Sequence, residues 1–392
     1  MRQSFGIKIQ SHRITAGCAA MTTAAIVVLC AAAAEVSAAP SPAPALSFNG
    51  YVDADFATSF AGGGFKDPTH TTGLEIDLTT TVTFSPKVNA VIYTTMNDGA
   101  VPAQGAGNTW DDVNFDGAAI NWQYDDKTTI FVGDLIYGTG YFNYYLNKRS
   151  AVAVGEHAVR GVGFARDGWT VTTGATGLGG KDSTGAPVPT SEWSTFVKYD
   201  YHLANGRTLT PSAKYTAGVK GATPFTGGLS FDGAFGAWSV SSDAAVNYYS
   251  SDYTPGFTFL LEPQYSFGKY SVAGSVFVNK KSEQNTTSVA APNNPSQTVT
   301  HKQFDDFFVY LEPGYNPGGT YAFGLPLEFH DASGATAVAQ GYDQSVWLVP
   351  TLYVYPGSGV QWWIWAQVVE HLKGTGSLDP QYFAGSEIIF KF

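Results

Sequence analysis

The sequence predicts an all-β protein that folds as a single transmembrane antiparallel β-barrel of about 18 strands, with 16 as the alternative. Three observations lead to this prediction. Short segments alternate apolar and polar side chains with a period of two. Tight turns and long polar connections follow one another along the chain. Among the 392 residues, only 14% are charged, 15% are aromatic and 44 are glycine.

The first 38 residues have the organisation of a cleaved export signal. A basic start precedes an alanine-rich apolar run over 16–34, and Val36 and Ala38 are small residues of the kind that a signal peptidase reads. A membrane anchor is the alternative for this run. We expect cleavage after Ala38. The basic residues of the start are Arg2, Lys8 and Arg13.

Cleavage divides the chain into a signal peptide (1–38), a proline-rich lead (39–45) and the barrel (46–392). It removes both cysteines, Cys18 and Cys30, which suits passage through an oxidising periplasm. It also removes three of the 21 basic residues and one of the 32 acidic residues. The remaining chain has 18 basic and 31 acidic residues, so its net charge is −13. This acidity argues against nucleic acid as a partner.

Short and long connections alternate along the whole remaining chain. Eight short turns and nine long loops define 18 strands. Antiparallel strands with short turns at one end and long loops at the other are the layout of a barrel that spans a membrane. The short turns are Ser85-Pro86-Lys87, Asp125-Asp126, Asp167-Gly168, Ala204-Asn205-Gly206, Phe235-Gly236, Gly268-Lys269, Pro317-Gly318-Gly319 and Pro356–Gly359. The long loops lie near 59–72, 98–112, 137–156, 177–191, 219–224, 250–255, 281–303, 330–341 and 372–380.

The last stretch, Gln381–Phe392, sends apolar side chains to one face, and Glu387 and Lys391 to the other. It resembles the closing strand of bacterial outer-membrane β-barrels, in which the terminal Phe serves as an assembly signal. The resemblance implies recognition of Phe392 by the barrel assembly machinery. An ordinary edge strand is the alternative for this stretch.

With the export signal and the alternating hairpins, the chain resembles the porins of Gram-negative outer membranes. The resemblance implies an outer-membrane location, contact with lipid, and passive diffusion of small hydrophilic solutes or ions. A homotrimer is compatible with it. It also implies that the third long loop, 137–156, folds inward as a constriction, with an outer surface loop as the alternative. The residues expected there are Tyr141, Tyr144, Tyr145, Lys148 and Arg149.

The face opposite the apolar one is acidic, and its side chains are expected to line the pore. Carboxylates along a wet pore concentrate cations and repel anions, so we expect a cation preference. Two alternatives remain: the carboxylates only hydrate the lumen, or one group of them holds a divalent metal. The expected pore-lining residues are Asp53, Asp55, Glu75, Asp77, Asp232, Asp243, Glu262, Glu312, Glu328 and Glu387.

Other functions have less support in the sequence. Trp363 and Trp365 would face the lumen if Trp362 and Ile364 face lipid, and such rings can stack on sugars. No G-x-S-x-G or H-E-x-x-H motif occurs, so we expect no catalytic site and no cofactor, with an outer-membrane hydrolase as a minor alternative. A surface adhesin or a structural barrel without an open pore is the main alternative to a channel.

Overall fold

The computed structural model describes twelve stretches of the chain, in which an 18-stranded antiparallel sheet closes into a barrel. The predicted fold class and strand number are confirmed. The expected signal peptide and residues 39–42 of the proline-rich lead lie outside the described residues. Those residues are 43–61, 66–98, 112–139, 155–176, 192–218, 224–248, 255–280, 289–291, 294–299, 305–332, 344–374 and 378–392.

The strands follow one another around the barrel in chain order, each paired with its sequence neighbours. They are β1 (Ala45–Ala61), β2 (Lys66–Ser85), β3 (Val88–Asp98), β4 (Asp112–Gln123), β5 (Thr128–Thr139), β6 (Gly155–Arg166), β7 (Trp169–Ala175), β8 (Trp193–Tyr199, continued by Tyr201–His202), β9 (Thr208–Ala217), β10 (Phe225–Phe235), β11 (Trp238–Tyr248), β12 (Gly256–Phe267), β13 (Tyr270–Lys280), β14 (Asp305–Tyr315), β15 (Tyr321–Gly324 and Leu327–Ala332), β16 (Gln344–Leu348 and Thr351–Gly357), β17 (Val360–Lys373) and β18 (Gln381–Lys391). A separate two-stranded hairpin, Val289–Ala291 with Asn294–Val299, lies within the loop between β13 and β14.

The barrel closes where the last strand pairs with the first. The β1–β18 ladder runs from Tyr51 opposite Lys391 to Phe60 opposite Tyr382. At its end, the amide of Gly50 donates to the carbonyl of Phe392 and the amide of Phe392 donates to the carbonyl of Gly50, both at 3.1 Å. Closure leaves β1 and β18 without the open edge that a flat sheet would present.

The eight predicted short turns all connect neighbouring strands at one end of the barrel. Their residues fit the backbone that tight hairpins need. Asp167 and Gly168 both have positive φ, 46° and 87°, which a two-residue hairpin turn with the right-handed strand twist requires.

Three prolines within strands, Pro263, Pro313 and Pro350, predict local bulges, and this expectation is wrong. Val240 stays opposite Pro263 and Val272 opposite Pro313 without a change of register. At Pro350 strand β16 is interrupted, yet the register against β17 is the same on both sides of the break. A proline removes one ladder hydrogen bond, and the bonds on either side keep the strands aligned.

The two faces of the wall differ in burial and polarity. In β11, Val246 is 55% exposed and its neighbour Ala245 only 6%. In each strand, the alternate positions that are exposed carry mostly large apolar side chains. The exposed apolar face is the outer one and the polar face lines the barrel. Among the described residues, no helix is long and apolar enough to cross a membrane.

Two belts of aromatic rings bound the outer apolar face, as the clustering of Tyr and Trp near strand ends in the sequence predicts. At the short-turn end, ring centroids are 4.7 Å apart for Trp238 and Tyr265 and 5.1 Å apart for Tyr270 and Tyr315. At the loop end, Phe225 pairs with both Tyr215 and Tyr248, and Trp193 belongs to the same belt. The ten-residue step between Phe225 and Phe235 spans about 25 Å along a tilted strand, the height of a membrane barrel's apolar band.

Candidate functional site: the inner wall of the barrel

The inner wall at the junction of β18 and β1 carries a cluster of carboxylates, which we call the acidic seam. It consists of Asp53, Asp55 and Glu387, whose carboxylate oxygens lie within 4.8 Å of one another. Register explains this proximity, because Asp55 stands directly opposite Glu387 and Asp53 is two residues away on the same face. Asp53 is 7% exposed, Glu387 is half-buried and Asp55 is exposed.

Further carboxylates continue the acidic seam on β2 and β4, and Thr95 on β3 lies between them. Tyr51 donates its hydroxyl to Glu75 at 2.8 Å, and Thr95 donates to Asp77 at 2.8 Å. The Thr95 hydroxyl also contacts Asp116, the extra residue of a bulge in β4. One hydroxyl proton serves one acceptor at a time, so Asp77 and Asp116 compete for it. A continuous acidic strip therefore crosses five strands.

Two tryptophans flank the acidic seam on β17. Trp363 stands opposite Glu387 in the β17–β18 ladder, and Trp362 and Ile364 on the outer face are 38% and 36% exposed. The predicted inward direction of Trp363 and Trp365 is confirmed. A Cβ on Gly385 would lie 2.5 Å from the Trp365 ring, so the indole rests against this glycine's backbone. The rings border the strip of carboxylates with flat apolar surface.

The wall formed by β14 to β16 carries a different arrangement, in which tyrosines hold a glutamate. Tyr310 donates to one oxygen of Glu312 at 2.8 Å, and Tyr353 donates to the other at 2.7 Å. Tyr353 reaches across β15 because Gly324 lies between, and a Cβ there would be 2.4 Å from the Glu312 carboxylate. We call this group the tyrosine clasp. Both oxygens of the carboxylate are hydrogen-bonded, so the clasp is a structural element of the wall.

Next to the tyrosine clasp the inner wall is buried. Phe277 and Phe308 are 0% and 2% exposed, and their ring centroids are 5.1 Å apart. Glu262 is buried and accepts a hydrogen bond from Ser275 at 3.0 Å. The other buried carboxylates of this face and of neighbouring β11 are Glu328 and Asp243. Side chains that stand free in a wide wet lumen would be exposed, whereas Phe277, Phe308 and Tyr310 belong to one buried cluster.

Positive charges are fewer on the described inner wall. Lys198 on β8 pairs with Asp200 at 2.9 Å, and Thr210 donates to the same aspartate at 2.9 Å. Lys214 lies on the inner face of β9, and Lys391 stands opposite Tyr51. The five expected constriction residues, Tyr141, Tyr144, Tyr145, Lys148 and Arg149, lie outside the described residues.

All ten carboxylates expected to line the pore lie at positions of their strands that face the barrel interior, but they do not form one site. Asp53, Asp55 and Glu387 meet at the acidic seam, and Glu75 and Asp77 continue it. Glu312 is held in the tyrosine clasp, and Asp232 on β10 is exposed. Asp243, Glu262 and Glu328 are buried. The alternative of a divalent-metal site falls, in the sequence, on Asp53, Asp55, Glu75 and Asp77. In the structure, the carboxylate oxygens that lie within 4.8 Å of one another belong to Asp53, Asp55 and Glu387.

Sequence reasoning missed the polar partners of these carboxylates. Tyr310 and Glu312 are two residues apart on one strand, a spacing that places both on one face and was a usable signal. Tyr353 comes from a strand two positions away, and Asp116 reaches Thr95 through a bulge. Neither contact can be read without the register.

Fold and inner wall together define a membrane-spanning β-barrel with an apolar outside and a polar inside. No protein-family model matches the sequence, and no curated protein is significantly similar to it. Solved structures do match. The outer membrane protein opdK of Pseudomonas aeruginosa aligns with a TM-score of 0.54 at 8% identity, covering 89% of this chain and 98% of that one. An anion-selective porin of Comamonas acidovorans aligns with a TM-score of 0.50 at 12% identity, covering 89% of this chain and 100% of that one.

The chain therefore has the β-barrel fold of these outer-membrane, porin-type proteins. At these identities the likeness concerns the fold, and the chemistry of the lumen belongs to this chain's own side chains.

Proposed function

We propose that the barrel is a passive diffusion channel for small hydrophilic solutes and ions, with a preference for cations. The acidic seam carries this proposal, because three carboxylates within 4.8 Å create a local negative potential on the inner wall. Asp55 is exposed and Glu387 is half-buried, so a passing ion can approach both. Fixed negative charge in a wet pore concentrates cations and repels anions.

The sign of the selectivity does not follow from the fold. The Comamonas barrel is described as an anion-selective porin. Selectivity depends on the charges that line the pore. In this chain the described inner wall carries the acidic strip from Glu387 to Asp116, and its basic residues include Lys198, Lys214 and Lys391. This imbalance supports cation preference.

The third long loop, 137–156, is proposed to narrow the pore. The buried sector around Phe277 and Phe308 supports this, because a loop folded inward would lie over such a sector. An aromatic loop suits such a position, since apolar surface packed against a wall is removed from water. Lys148 and Arg149 on that loop would then face the acidic strip across the pore.

Ion selectivity of the refolded protein in a planar bilayer tests the main proposal. With a KCl gradient across the bilayer, we expect stepwise conductance and a reversal potential with the sign of cation preference. A reversal potential of anion preference would overturn the proposed selectivity. An intact folded barrel that gives no conductance would favour the alternative of an adhesin or structural barrel without an open pore.

Two loop variants test the constriction separately. Deleting residues 139–150 should raise single-channel conductance at all salt concentrations, since the effect is steric. Lys148→Ala with Arg149→Ala should raise cation over anion permeability mainly at low salt, since the screening length falls to about 3 Å at 1 M. Unchanged conductance after the deletion would place the loop outside the pore.

Three further features belong to the same proposal. We propose that the protein is not an enzyme, which the lack of G-x-S-x-G and H-E-x-x-H motifs supports. We propose that Phe392 is read by the barrel assembly machinery, since it ends the outer apolar row of β18 beside Phe390 and both are exposed. A homotrimer is the proposed assembly in the membrane.

A further inference from the structure

Two indole rings lie next to each other on the inner wall of the barrel, close to the acidic seam. Trp363 and Trp365 are two residues apart on β17, so both side chains point to the interior. Both are half-buried, which leaves part of each side chain exposed. We call this pair the indole shelf. Aromatic side chains with a few polar groups beside them are the usual lining of small-molecule sites.

The surrounding wall holds both rings in place. Tyr353 stands edge-on to Trp363, with ring centroids 5.8 Å apart and an interplanar angle of 88°. The Tyr353 hydroxyl is itself fixed by its hydrogen bond to Glu312 at 2.7 Å. Trp365 rests against Gly385, where any Cβ would displace the ring. Rings that are already held in position lose little conformational freedom when a ligand binds to them.

The wall carries little bulk beside the indole shelf. Gly385 on β18 stands opposite Trp365, and Ala57 on β1 stands opposite Gly385. The largest side chain at these two inner positions is one methyl group. The wall is therefore low between the shelf and β1, on the side where the acidic seam lies.

The acidic seam begins one strand away from the indole shelf. Glu387 stands directly opposite Trp363, and Asp55 stands opposite Glu387. Two strand spacings separate Trp363 from Asp55, which is about 10 Å across the wall. Lys391, the basic residue on the same face of β18, is four residues beyond Glu387, at about 13 Å along the strand. Negative charge therefore dominates next to the rings.

We propose that the indole shelf and the acidic seam together bind organic cations whose charged nitrogen carries apolar substituents, such as quaternary ammonium compounds. The face of an indole ring attracts a cation, and carboxylates beside it supply the opposite charge. The apolar substituents leave water when they contact the rings. A metal ion would use the carboxylates alone, and a neutral sugar would use the rings without the charge. An organic cation uses both parts of the site.

This inference assigns a ligand class to the acidic seam, and it rests on the proposed cation preference. The two proposals fail separately. A reversal potential of cation preference in KCl, without binding of an organic cation, would refute the site and leave the proposed channel intact. Binding of an organic cation by a folded barrel that conducts no ions would support the site and refute the channel.

Calorimetric titration of the refolded barrel in detergent tests the ligand class without requiring conduction. The probe is choline, and its matched control is neohexanol, which has the same shape with a carbon atom in place of the charged nitrogen. We expect choline to bind at least tenfold more tightly than neohexanol. Its affinity should fall as KCl is raised, because salt screens the carboxylates. Equal affinities, tighter binding of neohexanol or of maltose, or no heat of binding with choline would overturn the inference.

Substitutions on the two faces of β17 test the location of the site. Trp363→Leu with Trp365→Leu removes both rings and should lower the affinity for choline at least tenfold. Trp362→Leu is the matched control, because Trp362 is 38% exposed on the outer face of the same strand, and it should leave the affinity unchanged. Heat-modifiable migration identifies the variants that fold. A folded double variant with the parent's affinity would overturn the inference.

Two milder variants decide the inference even if the double variant does not fold. Trp363→Phe keeps a ring with a weaker attraction for cations and should lower the affinity for choline severalfold. Asp55→Asn with Glu387→Gln removes charge beside the shelf and should lower the affinity for choline at least tenfold, with little change for neohexanol. An affinity for choline that responds to neither variant would place the cation elsewhere and overturn the inference.

Discussion

The acidic seam and the tyrosine clasp are both carboxylate groups on the inner wall, yet their surroundings differ. At the acidic seam three carboxylates stand within 4.8 Å of one another and Asp55 is exposed. In the clasp, Glu312 has both oxygens bound by tyrosine hydroxyls, and its donor Tyr310 belongs to the buried cluster of Phe277 and Phe308. The first arrangement leaves charge available to the lumen, and the second uses the charge to fix strand positions.

This difference means that an inward direction does not by itself give a carboxylate a role in permeation. A carboxylate with two donors in a buried sector interacts with its own wall, and its removal acts on stability. A crowded, accessible carboxylate group acts on mobile ions through its field. Substitutions in the two regions separate the effect on stability from the effect on permeation.

The largest expected effect is on stability in the buried sector. Phe277→Ala removes a ring that is fully buried against Phe308 and should lower the free energy of unfolding by about 3–5 kcal/mol. Phe323→Ala, on the outer face and 47% exposed, is the control and should cost distinctly less. Urea unfolding of the refolded barrel, followed by tryptophan fluorescence, measures both. Equal losses would mean that the inner sector is not packed.

The second effect is on selectivity at the acidic seam. Asp53→Asn, Asp55→Asn and Glu387→Gln together should lower the cation-to-anion permeability ratio by up to about tenfold at low salt, because the local cation concentration falls. Glu312→Gln should leave the ratio nearly unchanged and destabilise the barrel instead. Reversal potentials in a salt gradient measure the ratio. A Glu312 variant with the larger shift would reverse the roles assigned to the two regions.

A smaller effect is expected from single hydroxyl groups in the clasp. Tyr353→Phe leaves one oxygen of Glu312 without its donor and should cost about 1–2 kcal/mol of stability. Tyr310→Phe should do the same through the other oxygen. The two losses should be non-additive, because both donors hold one carboxylate. A double-mutant cycle by urea unfolding checks this, and strict additivity would contradict a shared clasp.

The smallest effect lies in a short turn outside the membrane. Asp125 accepts amide hydrogen bonds from Lys127 at 2.9 Å and Thr128 at 2.8 Å, and the bond from Lys127 is the main reason that the pKa of Asp125 is lowered. A lowered folded-state pKa gives stability that is present above the unfolded pKa and is lost as pH falls through the folded one. Asp125→Ala should therefore lower the unfolding midpoint slightly at pH 7. The difference from the parent protein should shrink in strong acid, and a constant difference would exclude the charge as its cause.

The barrel was predictable because local chemistry specifies it. The turns at Asp167-Gly168 and Gly268-Lys269 place Asp167, Gly168 and Gly268 at positive φ, and Val246 beside Ala245 follows the period of two. The acidic seam was partly predictable, since closure brings Glu387 beside β1. The competition of Asp77 and Asp116 for the Thr95 hydroxyl depends on the β4 bulge. The tyrosine clasp depends on a contact across an entire strand. Proline chemistry suggested bulges at Pro263 and Pro313, but the flanking ladder bonds kept the register.

The pairing of Gly50 with Phe392 also sets the order in which the chain can fold. Tyr51 and Lys391 are paired across 340 residues of sequence, so one edge of β1 stays open until the last strand has been made and delivered. During that interval β1 is an unpaired edge, available to other chains in the periplasm. The step that ends the interval also brings Glu387 against Asp53 and Asp55. Like charges meet at the moment of closure, so dissolved salt should help the final strand to dock.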